Sequence, residues 1–186
     1  MRSLTLLLIV LLALLTGCQP YQYHGLYLDS AATAPAVTLT DQNGQPASLT
    51  DFRGKLALVY FGYTFCPDVC PTTLGAVNKA LELLGTKADQ VQLVMVTVDP
   101  ERDTTAVLKN YLSNFNPSFV GLTGSPDQIA SAATPFGVFY EKHEGSAATG
   151  YLVDHTASLM VLDREGRLRL VFPYGTTAED MAADLK

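Results

Sequence analysis

Apolar and polar positions along the chain predict a core of alternating strands and helices. Apolar runs at 56–61 and 91–98 have the length and composition of strands that are buried on both faces. Between them, leucine and valine recur at helical spacing, which predicts a helix over 72–84. The first part of the core is therefore a strand–helix–strand unit.

Shorter segments complete the predicted sheet. Segments 37–40 and 47–49 flank an Asn-Gly turn signal and predict an N-terminal β-hairpin. Later apolar segments predict more strands, of which the last two pair as an antiparallel hairpin across a short turn. These later strands are predicted at 119–122, 138–140, 157–163 and 168–172.

Three further helices are predicted from their start signals. Asp99 followed by Pro100 is typical of a helix start, with Asp99 as the N-cap of a helix that reaches about Phe115. Ser125 begins the next helix, and Thr176 begins the helix that closes the chain. The alternation predicts an α/β fold with a central mixed sheet flanked by helices.

The first 17 residues have the features of an export signal. Arg2 gives a basic start, and the apolar stretch from Leu4 to Leu15 is shorter than the about 20 residues of a membrane-spanning helix. The next residues, Leu15-Thr16-Gly17-Cys18, resemble a bacterial lipoprotein processing box, which implies cleavage before Cys18 and lipidation of its thiol. An ordinary signal peptide or a short uncleaved anchor is the alternative. We expect a domain in the bacterial cell envelope, lipid-anchored to a membrane and facing the periplasm or exterior.

The remaining chain is expected to be a tether and one domain. Residues 18–35 are small, polar and without pattern, so they predict a tether in which His24 is a surface histidine. Residues 36–186 are enough for a single domain with a core. The chain has 12 Lys and Arg against 18 Asp and Glu, a net charge of −6, which argues against nucleic acid as a partner.

Two cysteines lie where the first core strand meets the first predicted helix. The amides and dipole of a helix N-terminus favour negative charge, so Cys66 and Cys70 are expected to form thiolates readily. They could pair as a disulfide, exchange disulfides or bind a soft metal ion. A structural disulfide is disfavoured, because the loop that it closes would constrain little chain.

The position of this pair at a strand-to-helix turn is thioredoxin-like, but its spacing is not. Thioredoxins have Cys-x-x-Cys, whereas this chain has Cys-x-x-x-Cys, which moves the second thiol by roughly 100° around a helix. That arrangement suits two thiolates that converge on one ion. Two thiolates select Cu(I), and an imidazole can complete a three-coordinate site. Among His24, His143 and His155, only His155 stands at a defined structural point, immediately before a predicted core strand.

Three motifs together resemble the signature segments of the Sco (SenC-type) family. They are Tyr60-Phe61-Gly62-Tyr63-Thr64-Phe65-Cys66-Pro67-Asp68-Val69-Cys70-Pro71, Val98-Asp99-Pro100-Glu101-Arg102-Asp103-Thr104 and Tyr151-Leu152-Val153-Asp154-His155-Thr156. The resemblance implies a thioredoxin-like fold that binds copper through Cys66, Cys70 and His155. It matches Asp99 and Asp103 to an Asp-x-x-x-Asp element. These two residues and Asp154 could support the metal site or contact a partner.

The resemblance implies a copper-binding protein that delivers copper to the CuA centre of cytochrome c oxidase. Copper would be bound as Cu(I), with Cu(II) as a further option. The expected partners are the copper-site subunit of the oxidase, and a periplasmic copper donor or a thiol reductant. The alternative is a thiol–disulfide oxidoreductase that reduces the cysteines of the CuA site, with Cys66 and Cys70 as its catalytic redox pair. That enzyme would not need His155 as a ligand.

Overall fold

The computed structural model describes residues 21–29, 32–146 and 150–186. The predicted signal segment, residues 1–17, and the predicted lipidation site, Cys18, lie outside the described residues. Within the described ranges, no helix is both long and apolar enough to cross a membrane.

Strands and helices alternate through the described chain, as the apolar pattern predicts. The strands are β1 Leu26–Tyr27, β2 Leu39–Asp41, β3 Pro46–Ala47, β4 Leu56–Gly62, β5 Val91–Thr97, β6 Val120–Thr123, β7 Tyr140–His143, β8 Leu152–His155, β9 Leu159–Leu162 and β10 Leu168–Phe172. The α-helices are α1 Val69–Leu84, α2 Thr105–Ser113, α3 Pro126–Ala133 and α4 Ala178–Asp184. Short 3₁₀ helices cover Leu49–Phe52, Gly85–Gln90 and Thr134–Phe136.

Eight of these strands form one mixed sheet in the order β1-β10-β9-β4-β5-β6-β2-β3. Strands β4, β5 and β6 run parallel, while β9, β10 and β2 pair antiparallel with their neighbours. Strands β2 and β3 form the predicted N-terminal hairpin. Strands β7 and β8 make a separate two-stranded ribbon. The prediction of a thioredoxin-like α/β fold with a central mixed sheet is confirmed.

The core is centred on β4 and β5. The side chains from Leu58 to Phe61 and from Leu93 to Val96 are fully buried, as expected for parallel strands covered on both faces. Helix α1 packs against α4 and places Leu74 and Val77 in the same core. The loop that follows β4 is therefore anchored to a fully buried part of the core.

The predicted helix over 100–115 is wrong at its start. Helix α2 begins at Thr105, and the Thr104 hydroxyl caps it by accepting a hydrogen bond from the Val107 amide. Asp99 lies before the helix and is completely buried. Its carboxylate binds the side chains of Arg102 and of the distant Tyr151, so Asp99 makes a tertiary contact and does not cap the helix.

Part of the predicted tether lies on the domain. Leu26 and Tyr27 pair with Val171 and Leu170 at the edge of the sheet. The His24 side chain lies 2.9 Å from the Asp184 carboxylate in α4. Residues 21–29 are thus bound to the sheet and to the last helix.

We predict that Thr104→Ala lowers the free energy of unfolding by about 1 kcal/mol, because the α2 N-terminus loses its cap. Thr105→Ala is the control, since Thr105 occupies the first helical position and not the cap. Denaturant unfolding of both variants measures the difference. Equal effects of the two substitutions would contradict the assigned start of α2.

Candidate metal centre

The two cysteines are placed by the loop between β4 and α1. Strand β4 ends at Gly62, and α1 begins at Val69, so Cys70 lies in the first helical turn and Cys66 in the loop before it. The Cys70 amide donates a hydrogen bond to Cys66 Sγ over 3.4 Å. Both cysteines are free thiols. The helix N-terminus therefore directs an amide towards the first sulfur, as the sequence predicted.

His155 reaches the cysteines from the end of β8. Its ring packs edge to face against the rings of Tyr60 and Tyr63, with centroids 6.0 and 5.8 Å away. The Tyr63 hydroxyl accepts a hydrogen bond from the Val153 amide and so joins β8 to the cysteine loop. His155 Nδ1 lies 3.3 Å from the Thr156 carbonyl oxygen. A carbonyl only accepts, so this contact places the proton on Nδ1 and leaves Nε2 free as a ligand.

The donor atoms of Cys66, Cys70 and His155 lie within 4.8 Å of one another. His155 Nε2 is 3.4 Å from Cys70 Sγ. Metal–thiolate bonds are about 2.3 Å long, so two donors on one ion lie at most about 4.6 Å apart. Small side-chain rotations would let all three groups share one ion. Among the described residues, this is the one group of three potential ligands with such spacing.

The two thiols differ in exposure and in acidity. Cys70 is fully buried, whereas Cys66 is partly exposed. The interaction with Cys70 lowers the pKa of the Cys66 thiol to about 3, although partial burial opposes this. The same interaction, together with burial, raises the pKa of the Cys70 thiol. In the metal-free protein Cys66 is therefore the thiolate, and Cys70 keeps its proton.

Gly62 and Tyr60 make room for Cys70 and hold it in place. The Tyr60 hydroxyl donates a hydrogen bond to Cys70 Sγ over 3.4 Å. A Cβ atom at Gly62 would lie 2.6 Å from the Tyr60 ring and 2.9 Å from Cys70 Sγ. Since real Cβ atoms do not approach so closely, Gly62 is required by this packing. Neither role is visible in the sequence pattern, because both depend on contacts across the core.

Asp103 fixes the start of the cysteine loop. Its buried carboxylate accepts hydrogen bonds from the Thr64 amide at 3.0 Å and the Thr64 hydroxyl at 2.6 Å. The Thr97 hydroxyl at the end of β5 donates a third bond of 2.7 Å. Burial raises the pKa of Asp103, and the bonds from Thr64 and Thr97 oppose that shift. Asp103 thus joins the loop after β4 to the end of β5.

Asp99 fixes the segment that leads to His155. Its carboxylate accepts a 2.6 Å hydrogen bond from the Tyr151 hydroxyl and pairs with the Arg102 guanidinium. Arg102 also donates to the Tyr151 carbonyl oxygen and lies over the Tyr151 ring, 3.7 Å from its centroid. The Asp-x-x-x-Asp element thus contains two buried carboxylates. Asp103 holds the cysteine loop, and Asp99 holds the segment that leads to His155. The parts played by Arg102 and Tyr151 depend on contacts between distant segments and are not visible in the sequence pattern.

Asp154 lies beside the site but does not join the three-residue group. Its carboxylate is 2.9 Å from His143 Nε2, across the β7–β8 ribbon. The His143 side chain is 46% exposed and has this carboxylate as its partner. A cavity of about 540 Å³ opens between the ribbon and the cysteine loop, lined by Cys66, His155 and the exposed ring of Phe139 among others. Cys66 and His155 are thus accessible from one side.

Comparison with known proteins identifies the family. The family model described as SCO1/SenC matches residues 27–186. The chain belongs to the SCO1/SenC family. A curated relative of this family, a SCO2-like protein of Rickettsia prowazekii, is 36% identical over 176 residues, which are 94% of this chain and 86% of that protein.

Solved structures of Sco proteins share the fold. The structure of Bradyrhizobium japonicum ScoI with copper bound is 44% identical, with a TM-score of 0.75 over 83% of this chain and 98% of that one. Apo Sco1 of Thermus thermophilus is 41% identical, with a TM-score of 0.79 over 91% of this chain and 98% of that one. Copper binding by a Sco relative agrees with a donor set of two sulfurs and one imidazole.

We predict that Cys66 of the reduced, metal-free protein is alkylated at nearly the same rate between about pH 5 and pH 8, because its pKa lies below this range. Cys70→Ala removes the interaction that lowers the pKa, so its Cys66 should react faster as pH rises. Mass spectrometry after timed exposure to iodoacetamide measures both rates. A steep pH dependence in the unmodified protein would contradict the thiolate assignment.

We predict that Arg102→Met destabilises the metal-free protein by about 3 kcal/mol, because it leaves the buried Asp99 carboxylate without its cation. Lys142→Met is the matched control. Lys142 also lies over the Tyr151 ring, but it is exposed and pairs with Glu101 at the surface, so its loss should cost little. Denaturant unfolding compares the two, and equal effects would contradict the bracing role of Arg102.

Proposed function

We propose that this protein binds one copper ion through Cys66, Cys70 and His155 and delivers it to the CuA centre of cytochrome c oxidase. The convergence of two thiols and one imidazole within 4.8 Å carries the proposal, since this donor set prefers Cu(I). Sco proteins are described as cytochrome c oxidase assembly proteins. The partner is then the copper-site subunit of that oxidase.

Loading and release follow from the protonation of the cysteines. A metal ligand must be deprotonated, so copper that binds both sulfurs displaces the proton that Cys70 holds. Cys66 and His155 line the open cavity, so an incoming cysteine or histidine of the partner reaches the copper there. Copper then moves by stepwise ligand exchange, and it is not released into solution. A Cys66–Cys70 disulfide would leave no thiolates, so oxidation would prevent loading.

The protein is proposed to act at a membrane of the bacterial envelope. Cys18 would carry the lipid, and the domain would face the periplasm or exterior. A periplasmic copper donor or a thiol reductant would then have access to the same cavity. Asp154, which is 73% exposed at the rim of that cavity, is a candidate contact for these partners.

The arrangement of the two thiols also favours a second candidate function, reduction of the CuA-site cysteines. The exposed Cys66 thiolate would attack one sulfur of the oxidised pair in the oxidase, and the other sulfur would leave as a thiolate. Cys70 would lose its proton and attack Cys66 Sγ, which frees the reduced substrate and forms the Cys66–Cys70 disulfide. Two electrons pass to the substrate, and His155 is not a reactant.

We predict that His155→Ala weakens copper binding by the reduced protein at least about tenfold, because one of three ligands is lost. His143→Ala is the matched control, since His143 lies on the same ribbon and outside the metal group. A titration against a competing Cu(I) chelator gives the stoichiometry and the affinity. Full affinity in His155→Ala would exclude His155 as a ligand. Copper binding that is weak or absent in the unmodified protein, together with a rate of disulfide reduction that His155→Ala leaves unchanged, would favour the oxidoreductase.

A further inference from the structure

The segment that precedes the sheet carries a cluster of exposed apolar side chains. Tyr21, Tyr23, Leu26 and Tyr27 are 54%, 43%, 61% and 41% exposed. The rings of Tyr21 and Tyr23 meet edge to face, and the rings of Tyr23 and Tyr27 stack, with centroids 5.0 Å apart in both pairs. We call these four residues the aromatic patch.

The aromatic patch is attached firmly to the domain. Asp184 of α4 accepts hydrogen bonds from the Tyr21 hydroxyl and from the amides of His24 and Gly25, with distances of 2.8 to 3.1 Å. The Arg169 guanidinium donates to the Tyr27 hydroxyl over 3.0 Å. The patch therefore moves with the domain, and whatever it binds fixes the orientation of the domain.

The aromatic patch lies close in sequence to the proposed anchor. Tyr21 is three residues after Cys18, and three extended residues span at most about 11 Å. If Cys18 carries the lipid, as the proposed function has it, Tyr21 cannot leave the surface of the bilayer by more than about that distance. An exposed group of tyrosine rings is then held next to the lipid headgroups.

Tyr23 and Tyr27 of the aromatic patch lie towards the end of the central sheet that is opposite the metal site. Tyr23 and Tyr27 line a cavity with Leu56, the first residue of β4. The cysteine loop follows Gly62, the last residue of the same strand. A strand of this length covers about 20 Å.

We propose that the aromatic patch lies in the headgroup region of the lipid bilayer and holds the domain with its metal site turned away from the membrane. Tyrosine suits that region, because its ring is apolar and its hydroxyl can stay hydrated. The lipid supplies the attachment, and the patch supplies the orientation. A partner would then approach the copper from the aqueous side.

The chain contains no tryptophan, so a single introduced tryptophan reports its own surroundings. Tyr23→Trp places it in the aromatic patch. Tyr174→Trp is the matched control, since Tyr174 is 48% exposed and follows the end of β10 that pairs beside Tyr60. Both full-length lipidated proteins are reconstituted in vesicles of phosphatidylethanolamine and phosphatidylglycerol, with or without phosphatidylcholine brominated in its acyl chains.

We expect tryptophan at position 23 to show blue-shifted emission and to lose much of its fluorescence in brominated vesicles, while tryptophan at 174 changes little. Leu26→Trp is a second reporter if Tyr23→Trp lowers the melting temperature. Equal quenching at both positions, or none at position 23, would overturn the proposed orientation. A blue shift that depends on protein concentration and occurs without quenching would mean that a second copy covers the patch, and would also overturn it.

The same samples separate this proposal from the proposed function. Protein that does not sediment with the vesicles would refute the lipid anchor, and the membrane orientation with it. A copper titration of each sample tests the metal site independently, because neither position 23 nor position 174 belongs to it. Normal copper binding without quenching at position 23 would refute the orientation alone.

Discussion

The site depends on a carboxylate, that of Asp103, which is completely buried and forms no ion pair within the described part of the chain. Asp103 is stabilised by hydrogen bonds from Thr64, in the loop after β4, and from Thr97, the last residue of the neighbouring strand β5. A buried charge is tolerated only when such donors surround it. The same hydrogen bonds have two effects. They satisfy the buried Asp103 carboxylate, and they fix the loop that carries the cysteines. The metal-free protein therefore holds its thiols in place without help from an ion, as the proposed function requires if copper is cargo.

A second buried carboxylate extends this arrangement to the histidine. Asp99 connects to Tyr151 directly and through Arg102. The two aspartates lie four residues apart on one short segment, so the two loops that carry the candidate ligands are held by the same stretch of backbone. Of the three candidate ligands, Cys66 and His155 face an open cavity, whereas Cys70 is buried. The buried aspartates hold the ligand loops in place, and the open cavity makes the site accessible.

Much of this could be predicted from the sequence, and the failures have physical causes. The strands β4 and β5 were found because burial on both faces leaves an unbroken apolar run. The prediction that Asp99 caps a helix was wrong, because a capping signal is read from neighbouring residues alone. The Asp99 carboxylate instead contacts Arg102 and Tyr151, and Tyr151 lies about 50 residues later in the chain. Strand β1 was missed because two exposed residues at a sheet edge carry no apolar pattern. Cys66, Cys70 and His155 were expected together from their motifs, but the need for Gly62 became visible only with Cys70 packed against it.

The difference in burial between the two cysteines sets a direction for copper transfer under the proposed function. Cys70 lies behind Gly62 and Tyr60 with no exposed surface, so no ligand of another protein can reach it before the copper has moved. Ligand exchange must begin at Cys66 or His155. When copper leaves the protein, its bond to Cys70 must be the last to break. When copper is loaded, that bond can be the last to form. The buried sulfur of Cys70 would therefore keep the ion bound to its carrier until the recipient has already supplied replacement ligands.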